Sequence, residues 1–557
     1  MKAPSIRVPY LWCILLTLLI AGPWLLPGYV FGTDWPGPRH FSVPSDFSSG
    51  TFLDGVLVGL SAVVSAEVTA KVLVVAALFA GAIGAFRALP VGGFIPRAIA
   101  SVIYVVNPFV YGRIHYGQLA LIAAYSLLPW FAASLLSLLR KPGWRPGVIL
   151  ALELTALGVL DLHLLIPAGL LLLAAAAAFG ISRRDHGRYL TDLSRTLALA
   201  LGAAVVASSY WLIPLLSGAN SEGRAIAGIG TADLAAYSAS ADPDVGLIPN
   251  LLSLYGFWAE DTGRFTSMKA FVPLWPGILL ILIALGALGA KAVIRRRPAV
   301  DFEGGSPWVF ALLSAGAIAL ILEAGVATPV TEPIVRFLDT VFPPYRGMRD
   351  AGKWAALVAL IYAQLIPLGA IVLLRWVREH VTPRRIDLAE AVATGLLLAL
   401  PLYYGNGLLF GMHGEVQPSA YPTGWYQADK VLAADPHPGR TLFLPWHLYL
   451  ALGFVRNDNN VVASPAPTFF SVPVVISNDP EVPGIPPPTD PEQTAVSNLV
   501  SDGATADWAG ELARRNIKYV VVAREVDWSR YTFLASQPRF AQVADYGSIV
   551  IYRNLSW

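Results

Sequence analysis

Val148–Phe179 reads VILALELTALGVLDLHLLIPAGLLLLAAAAAF, an apolar stretch whose polar break falls at Leu160-Asp161-Leu162-His163. A helix rises about 1.5 Å per residue, so about 20 apolar residues cross the hydrocarbon core of a bilayer. The stretch is too long for one crossing and short for two. It predicts a tight helical hairpin whose tip carries Asp161 and His163. Two readings of that tip stand side by side. The polar pair simply marks the turn, or it lines an outer cavity.

The same reading extends along the chain. Apolar segments near 9–27, 68–87, 94–111, 117–139, 147–160, 162–180, 194–216, 271–291, 307–323, 353–375 and 388–404 give about eleven spans. Segment 52–66 is apolar but short and glycine-rich, and is read as interfacial or re-entrant. The composition agrees: 55% of the 557 residues are hydrophobic and 14% charged, against roughly 25% charged in soluble domains. The chain is an integral membrane protein with a soluble part attached. Sixteen Trp and 21 Tyr suit a protein with two interfaces to anchor. A net charge of +2 gives no footprint for nucleic acid. The lone cysteine, Cys13, excludes an intramolecular disulfide and a cysteine-based metal site. The run from Val8 to Leu26, preceded by Lys2 and Arg7, is read as an uncleaved signal anchor rather than a cleaved leader.

Lys and Arg gather at cytoplasmic span ends. With the N-terminus inside, Arg183-Arg184, Arg295-Arg296-Arg297 and Arg384-Arg385 all fall on the cytoplasmic side. The odd span count then puts the C-terminus outside. The expected fold is mainly α: a polytopic membrane helix bundle, residues 1–405, with outer loops 28–67, 217–270 and 324–352. Residues 406–557 form a soluble extracytoplasmic α/β domain. Turn residues are dense there, as in Pro436-His437-Pro438-Gly439 and Pro483-Gly484-Ile485-Pro486-Pro487-Pro488. Thr441–Leu444, Val472–Ile476, Tyr519–Val522 and Ser548–Tyr552 read as strands, and Thr505–Arg515 as a helix with Thr505 as its cap. The domain has no glycine-rich phosphate loop, metal-ligand spacing or nucleophile elbow, so it covers or binds rather than catalyses.

The candidates for chemistry lie in the outer loops. Asp34 stands in Phe31-Gly32-Thr33-Asp34-Trp35-Pro36-Gly37-Pro38, at the boundary after the first span. A carboxylate beside apolar surface can serve as a general base, although an Asp before Trp-Pro is also an ordinary turn residue. The second signal is Tyr345-Arg346-Gly347-Met348-Arg349-Asp350-Ala351-Gly352-Lys353, where three cations break the positive-inside pattern. Arg346, Arg349 and Lys353 suit a phosphate. Pairing with Asp339, Asp350 and lipid headgroups is the plainer alternative. Arg113 and His115, in a short outer loop rich in Gly and Tyr, are placed with them, as are Tyr345, Asp161 and His163. No His pair has zinc spacing.

Many spans, an acid in the first outer loop and an outer C-terminal domain resemble the GT-C class of integral membrane glycosyltransferases. Tyr104-Val-Val-Asn-Pro-Phe-Val-Tyr-Gly-Arg113, followed by Gln118, resembles the YfhO-like and arabinofuranosyltransferase-like groups. The resemblance implies a multi-pass protein of the cell membrane. It implies transfer of a sugar from a polyprenyl-phosphate-linked donor to a cell-envelope glycan, lipid or protein acceptor on the outer face. Many of that class carry neighbouring acids in the first loop, whereas Asp34 is flanked by Thr33 and Trp35. A divalent metal held by a paired-acid motif is therefore not supported. Asp161 or Glu67 completes the site from a distance, or the reaction is metal-independent, or catalysis has been lost. A transporter or flippase of lipid-linked sugars and a non-catalytic envelope-assembly protein are the competing functions.

Overall fold

The structure, a computed structural model, describes residues 7–183, 186–296, 300–437, 439–487 and 489–557. Lys2, Arg184, Arg297, Pro438 and Pro488 of the sequence reading lie outside these residues.

The chain opens with α1 (Arg7–Ala21), α2 (Thr51–Val63), α3 (Ala66–Ala88), α4 (Phe94–Val105), α5 (Pro108–His115), α6 (Leu119–Arg140) and α7 (Trp144–Leu160). It continues with α8 (Leu165–Ser182), α9 (His186–Ser217), α10 (Ser221–Gly228), α11 (Thr231–Ala236) and α12 (Leu247–Leu252). The last body helices are α13 (Trp275–Ile294), α14 (Gly305–Ala324), α15 (Glu332–Val341), α16 (Ala355–His380) and α17 (Ile386–Tyr404). Among the described residues, ten helical segments are long and apolar enough to cross a membrane. They are α1 with its following turn, α3, α4–α5, α6, α8, α9, α13, α14, α16 and α17. Helix α7, at 17 residues, stands just short of them. Segment 52–66 forms the short helix α2, with Phe52, Val56, Leu60 and Val63 exposed along it.

Local chemistry sets the breaks. Asp161 is extended after α7, and its carboxylate accepts from the His163 amide at 2.9 Å. A single turn over Leu162–Leu164 then starts α8, so the hairpin turns where the sequence places it. Segment 94–111, expected as one span, lies within the single apolar crossing Phe94–His115, which is broken at Asn107. Pro108 has no amide to continue α4. The Asn107 amide bonds back to the Ile103 and Tyr104 carbonyls at 3.0 and 2.7 Å, and its Oδ1 caps Val110 at 3.0 Å. Helix α16 is the buried centre of the bundle and packs on α4, α13 and α14. Gly289 and Gly369 let the backbones of α13 and α16 touch, the small-residue packing expected where lipid gives no hydrophobic drive.

The C-terminal region carries β1 (Arg440–Leu444), β2 (Tyr449–Ala451), β3 (Val461–Ala463), β4 (Val474–Val475), β5 (Ile517–Ala523), β6 (Phe540–Asp545) and β7 (Ile549–Asn554). Five form a mixed sheet in the order β4-β1-β5-β7-β6. β1 runs parallel to β4 and β5, with Leu442 opposite Val520, while β7 is antiparallel to β5 and β6. β5 is buried throughout, as a central strand of Val and Ile must be. The hairpin β2–β3 stands apart from this sheet. The expected helix at 505–515 is shorter, Trp508–Arg514. Its cap is Asp507, which accepts from the Gly510 amide at 2.9 Å, whereas Thr505 sits in the turn before it.

Two of the seams that join this region to the membrane body run through the Asp34 loop. Tyr29 and Ser419 exchange backbone hydrogen bonds at 2.8 Å, and the Ala463 amide of β3 donates to the Thr33 carbonyl at 2.7 Å. Between them Phe31 is buried among Tyr421 and Phe454.

Candidate active site

Asp34 is held by backbone before any side chain acts. Gly32 and Trp35 pair with each other across the turn, and the Asp34 amide donates to the Tyr116 carbonyl at 2.6 Å. The loop can approach α5 this closely because Gly32 meets Gly117, which has a φ of +84°. The carboxylate then points into a cavity of about 320 Å³, within the usual range for a ligand site. There Tyr449 donates its hydroxyl to Asp34 Oδ1 at 2.8 Å. Asp34 is open to the cavity, but protein surrounds the cavity on most sides. That burial raises its pKa above the ordinary value, while Tyr449, Gln118 and the charges of Arg264 and Lys353 pull the other way.

Three cations face the same space: Arg264, Arg349 and Lys353. Arg349 is partly committed, to Asp233 at 3.0 Å and to the Tyr237 ring at 4.5 Å. Arg264 stacks over the Tyr449 ring at 4.6 Å, and its Nη1 is buried without a hydrogen-bond partner among the described residues. Lys353 is 9% exposed. Among the described residues its ammonium makes no hydrogen bond or ion pair, although Asp161 and Asp350 lie in its field. Three acids share the lining: Asp34, Glu222 and Asp350. Glu222 accepts from Ser49, at 3.0 Å from the amide and 2.7 Å from the hydroxyl. Asp350 is paired with the fully buried Arg113, whose Nη2 donates to it at 3.1 Å. Losing one partner of such a buried pair costs about 3–5 kcal/mol. Asp34 and Glu222 are bound by neutral donors, Asp34 by the Tyr449 hydroxyl of the C-terminal region and Glu222 by Ser49.

The residues singled out from the sequence divide into three groups. Asp34, His163, Arg349 and Lys353 line the cavity. Arg113 and Asp161 stand behind it: Arg113 braces Asp350 and donates to Gln118 at 2.8 Å, and Asp161 accepts from His163 Nδ1 at 2.7 Å. Burial pushes the Asp161 pKa up, but the charge and hydrogen bonds of His163, with Lys353, outweigh it and bring it to about 2. Tyr345, Arg346 and His115 are not in the lining. Tyr345 is packed into the body. Arg346 pairs with Asp339 at 2.5 Å and borders a neighbouring cavity of about 390 Å³ lined by Leu215, Leu216, Pro343 and Pro344. His115 is buried against Phe265, 3.6 Å from Glu415. Glu67 is also elsewhere, bonded to Lys71 and the Gly28 amide.

The sequence reading missed Arg264, Tyr449, Gln118, Glu222, Tyr116, Tyr237 and Trp258, all in the lining. Arg264 carried a usable signal, as another cation in an outer loop. Tyr449 carried none, because nothing local in β2 links it to Asp34. Among the described residues, no group of three or more His, Cys, Asp or Glu is placed to hold a metal ion.

With this geometry in view, the chain compares with known proteins as follows. No family model matches it. Cryo-EM structures of arabinofuranosyltransferase AftD from mycobacteria, wild type and an R1389S mutant, superpose on 99% of the chain. The TM-scores are 0.61 and 0.62, at 17% and 18% identity. The fold is that of GT-C-type arabinofuranosyltransferases. An alpha-(1->3)-arabinofuranosyltransferase of Mycobacterium tuberculosis is 29% identical over 264 residues, 43% of this chain. The chain spans less than half the length of these relatives: the matches cover 40% and 42% of the solved chains and 18% of the curated one.

Proposed function

We propose that this protein is a membrane glycosyltransferase that moves a sugar from a polyprenyl-phosphate-linked donor to a cell-envelope acceptor on the outer face. One observation carries the reading. The cavity sets a carboxylate with only neutral partners, Asp34, opposite Arg264 and Lys353, cations without a carboxylate partner among the described residues. A glycosyl transfer needs that pair of opposites. Asp34 takes the proton of the acceptor hydroxyl as its oxygen bonds to the anomeric carbon. The bond from that carbon to the phosphate oxygen breaks, and the phosphate leaves with the electron pair. Arg264, Arg349 and Lys353 meet the charge that develops on it. Aromatic rings of Tyr116, Tyr237 and Trp258 line the space a sugar would fill.

The relatives' names support the transferase class, and the neighbouring cavity supports a lipid carrier. Its apolar wall, at the end of α9 and the Pro343-Pro344 turn, shares Ile226 with the cavity of Asp34. An isoprenoid chain fits there with its phosphate among the cations. The outer-face assignment rests on the cation bias. Gln118, at the cavity, immediately precedes α6, whose 22 residues put Arg140 about 33 Å away, and Arg183 donates to the Arg140 carbonyl at 3.0 Å at that far end.

The test is transfer by the full chain in reconstituted membranes with a polyprenyl-phosphate-linked pentose as donor. Asp34→Asn should abolish transfer while leaving donor binding. Transfer by that variant at the wild-type rate would remove the base and the reading with it.

A further inference from the structure

We infer that Tyr449, supplied by the C-terminal domain, is the positioning residue that holds Asp34 and Arg264 in register, so that docking of that domain completes the site. The inference rests on the reading of Asp34 as a base. It extends that reading to a residue and a domain that the relatives' names do not address.

Two contacts of the Tyr449 side chain point to opposite chemical partners. Its hydroxyl donates to Asp34 Oδ1 at 2.8 Å. Its ring face carries the Arg264 guanidinium at 4.6 Å. The phenol donor fixes Oδ1 with Gln118 as a second neutral donor to the carboxylate, which keeps lone pairs to accept a proton from substrate. A stacked guanidinium keeps its N–H edges free for a phosphate, and Arg264 Nη1 has no partner among the described residues. One ring therefore sets the distance between the proton acceptor and a cation for the leaving group.

The backbone around Tyr449 is tied to the loop that bears Asp34. Tyr449 pairs with Ala463 across β2–β3, and Ala463 donates to the Thr33 carbonyl at 2.7 Å. The hairpin is thus sewn to the residue before Asp34 while its side chain reaches Asp34 itself. Burial, with the charge of Asp34, raises the Tyr449 pKa, so the phenol stays protonated and remains a donor. It holds the carboxylate and is not itself the base.

The experiment reads protonation of Asp34 without relying on turnover. The full chain in lipid nanodiscs is labelled with dicyclohexylcarbodiimide, which attacks protonated carboxyls, and modification of Asp34 is followed by peptide mass spectrometry against pH. Tyr449→Phe keeps the ring under Arg264 and removes the donor. The labelling midpoint should rise by about one pH unit, because the carboxylate loses a hydrogen bond. The acid limb of transfer should move with it, and the rate should recover at high pH. Tyr449→Ala should also weaken binding of farnesyl phosphate by about tenfold, followed by quenching of Trp fluorescence, as Arg264 loses its platform. An unchanged midpoint in Tyr449→Phe, or a transfer rate lowered equally at every pH, overturns the inference. If Asp34→Asn is inactive and the Tyr449→Phe midpoint does not move, the base survives and only Tyr449 is lost. If Asp34→Asn is active, both readings fall.

Discussion

Gly32 and Gly117 meet backbone to backbone: a Cβ on Gly32 would lie 2.6 Å from Gly117 Cα, and one on Gly117 would lie 2.7 Å from the Trp35 nitrogen. Neither position has room for a methyl group, and Gly117 has a left-handed φ of +84°. Gly117→Ala should destabilise the protein by about 2 kcal/mol or more and lower transfer at the same time. Thermal unfolding and transfer rate, measured together, check this. A variant as stable and active as wild type would show that the contact does not hold Asp34.

Burial raises the Asp34 pKa. A base must be deprotonated to act, so activity should rise with pH through that raised value. The acid limb of the kcat/KM profile should therefore lie above the ordinary Asp value of about 3.9. In Asp34→Asn no limb should remain, because no transfer does. An acid limb at or below the ordinary value would contradict the buried environment described here.

Among the described residues, no carboxylate pairs with Arg264 or Lys353. Removing either should weaken binding of farnesyl phosphate by about tenfold, or about 1.4 kcal/mol. Farnesol, which lacks the phosphate, should lose nothing. Titration calorimetry on the two ligands separates charge recognition from apolar packing. Equal losses for both would assign these residues to structure.

Arg346 provides the contrast. It is half-exposed, paired with Asp339, and absent from the cavity lining. Arg346→Ala should change stability by no more than about 1 kcal/mol. Farnesyl phosphate binding should change far less than in Lys353→Ala. A loss as large as that of Lys353→Ala would put the phosphate in the neighbouring cavity instead.

Pro480 and Val482 close the cavity from the C-terminal side, and Val482 and Ile485 rest on the membrane body. Glu481 between them binds His447 Nδ1 at 2.6 Å, and Asp527, itself paired with Arg530, lies 3.5 Å from His447 Nε2. The hydrogen bond that Glu481 accepts from His447 raises the His447 pKa, with Asp527 adding to it. A raised His pKa gives stability that is full below the unfolded value of about 6.5 and is lost as pH rises through the folded value. The strap should therefore loosen on the alkaline side. Cleavage after Glu481 by a glutamate-specific protease should speed up over that range. In His447→Gln it should be fast at every pH, after correction for the protease's own profile.

Much of the fold was legible because crossing a bilayer is a local demand. Each span must carry its own apolar run and satisfy its own backbone, so Val148–Phe179 announces a hairpin without knowing its neighbours. The strands β1, β4, β5 and β7 were legible for a similar reason, from runs of Val, Ile and Tyr between turns. The break at Asn107 and the hairpin β2–β3 were not. One depends on how the Asn107 side chain is spent, and the other is three residues per strand, too short for a pattern.

The site divides along the same line. The sequence by itself determined that an acid, Asp34, and a cationic turn, 345–353, stand at span ends, because a charge is costly within hydrocarbon. It could not determine which cations face the acid. Arg346 and Arg349 are three residues apart in one turn, yet one pairs outward with Asp339 and the other lines the cavity. Only the tertiary structure brought Arg264 and Tyr449 to Asp34. The bond between Tyr449 and Asp34 joins residues 415 positions apart. Hydropathy and charge bias report where a residue sits relative to the membrane. They carry no information on which distant side chain will be packed against it.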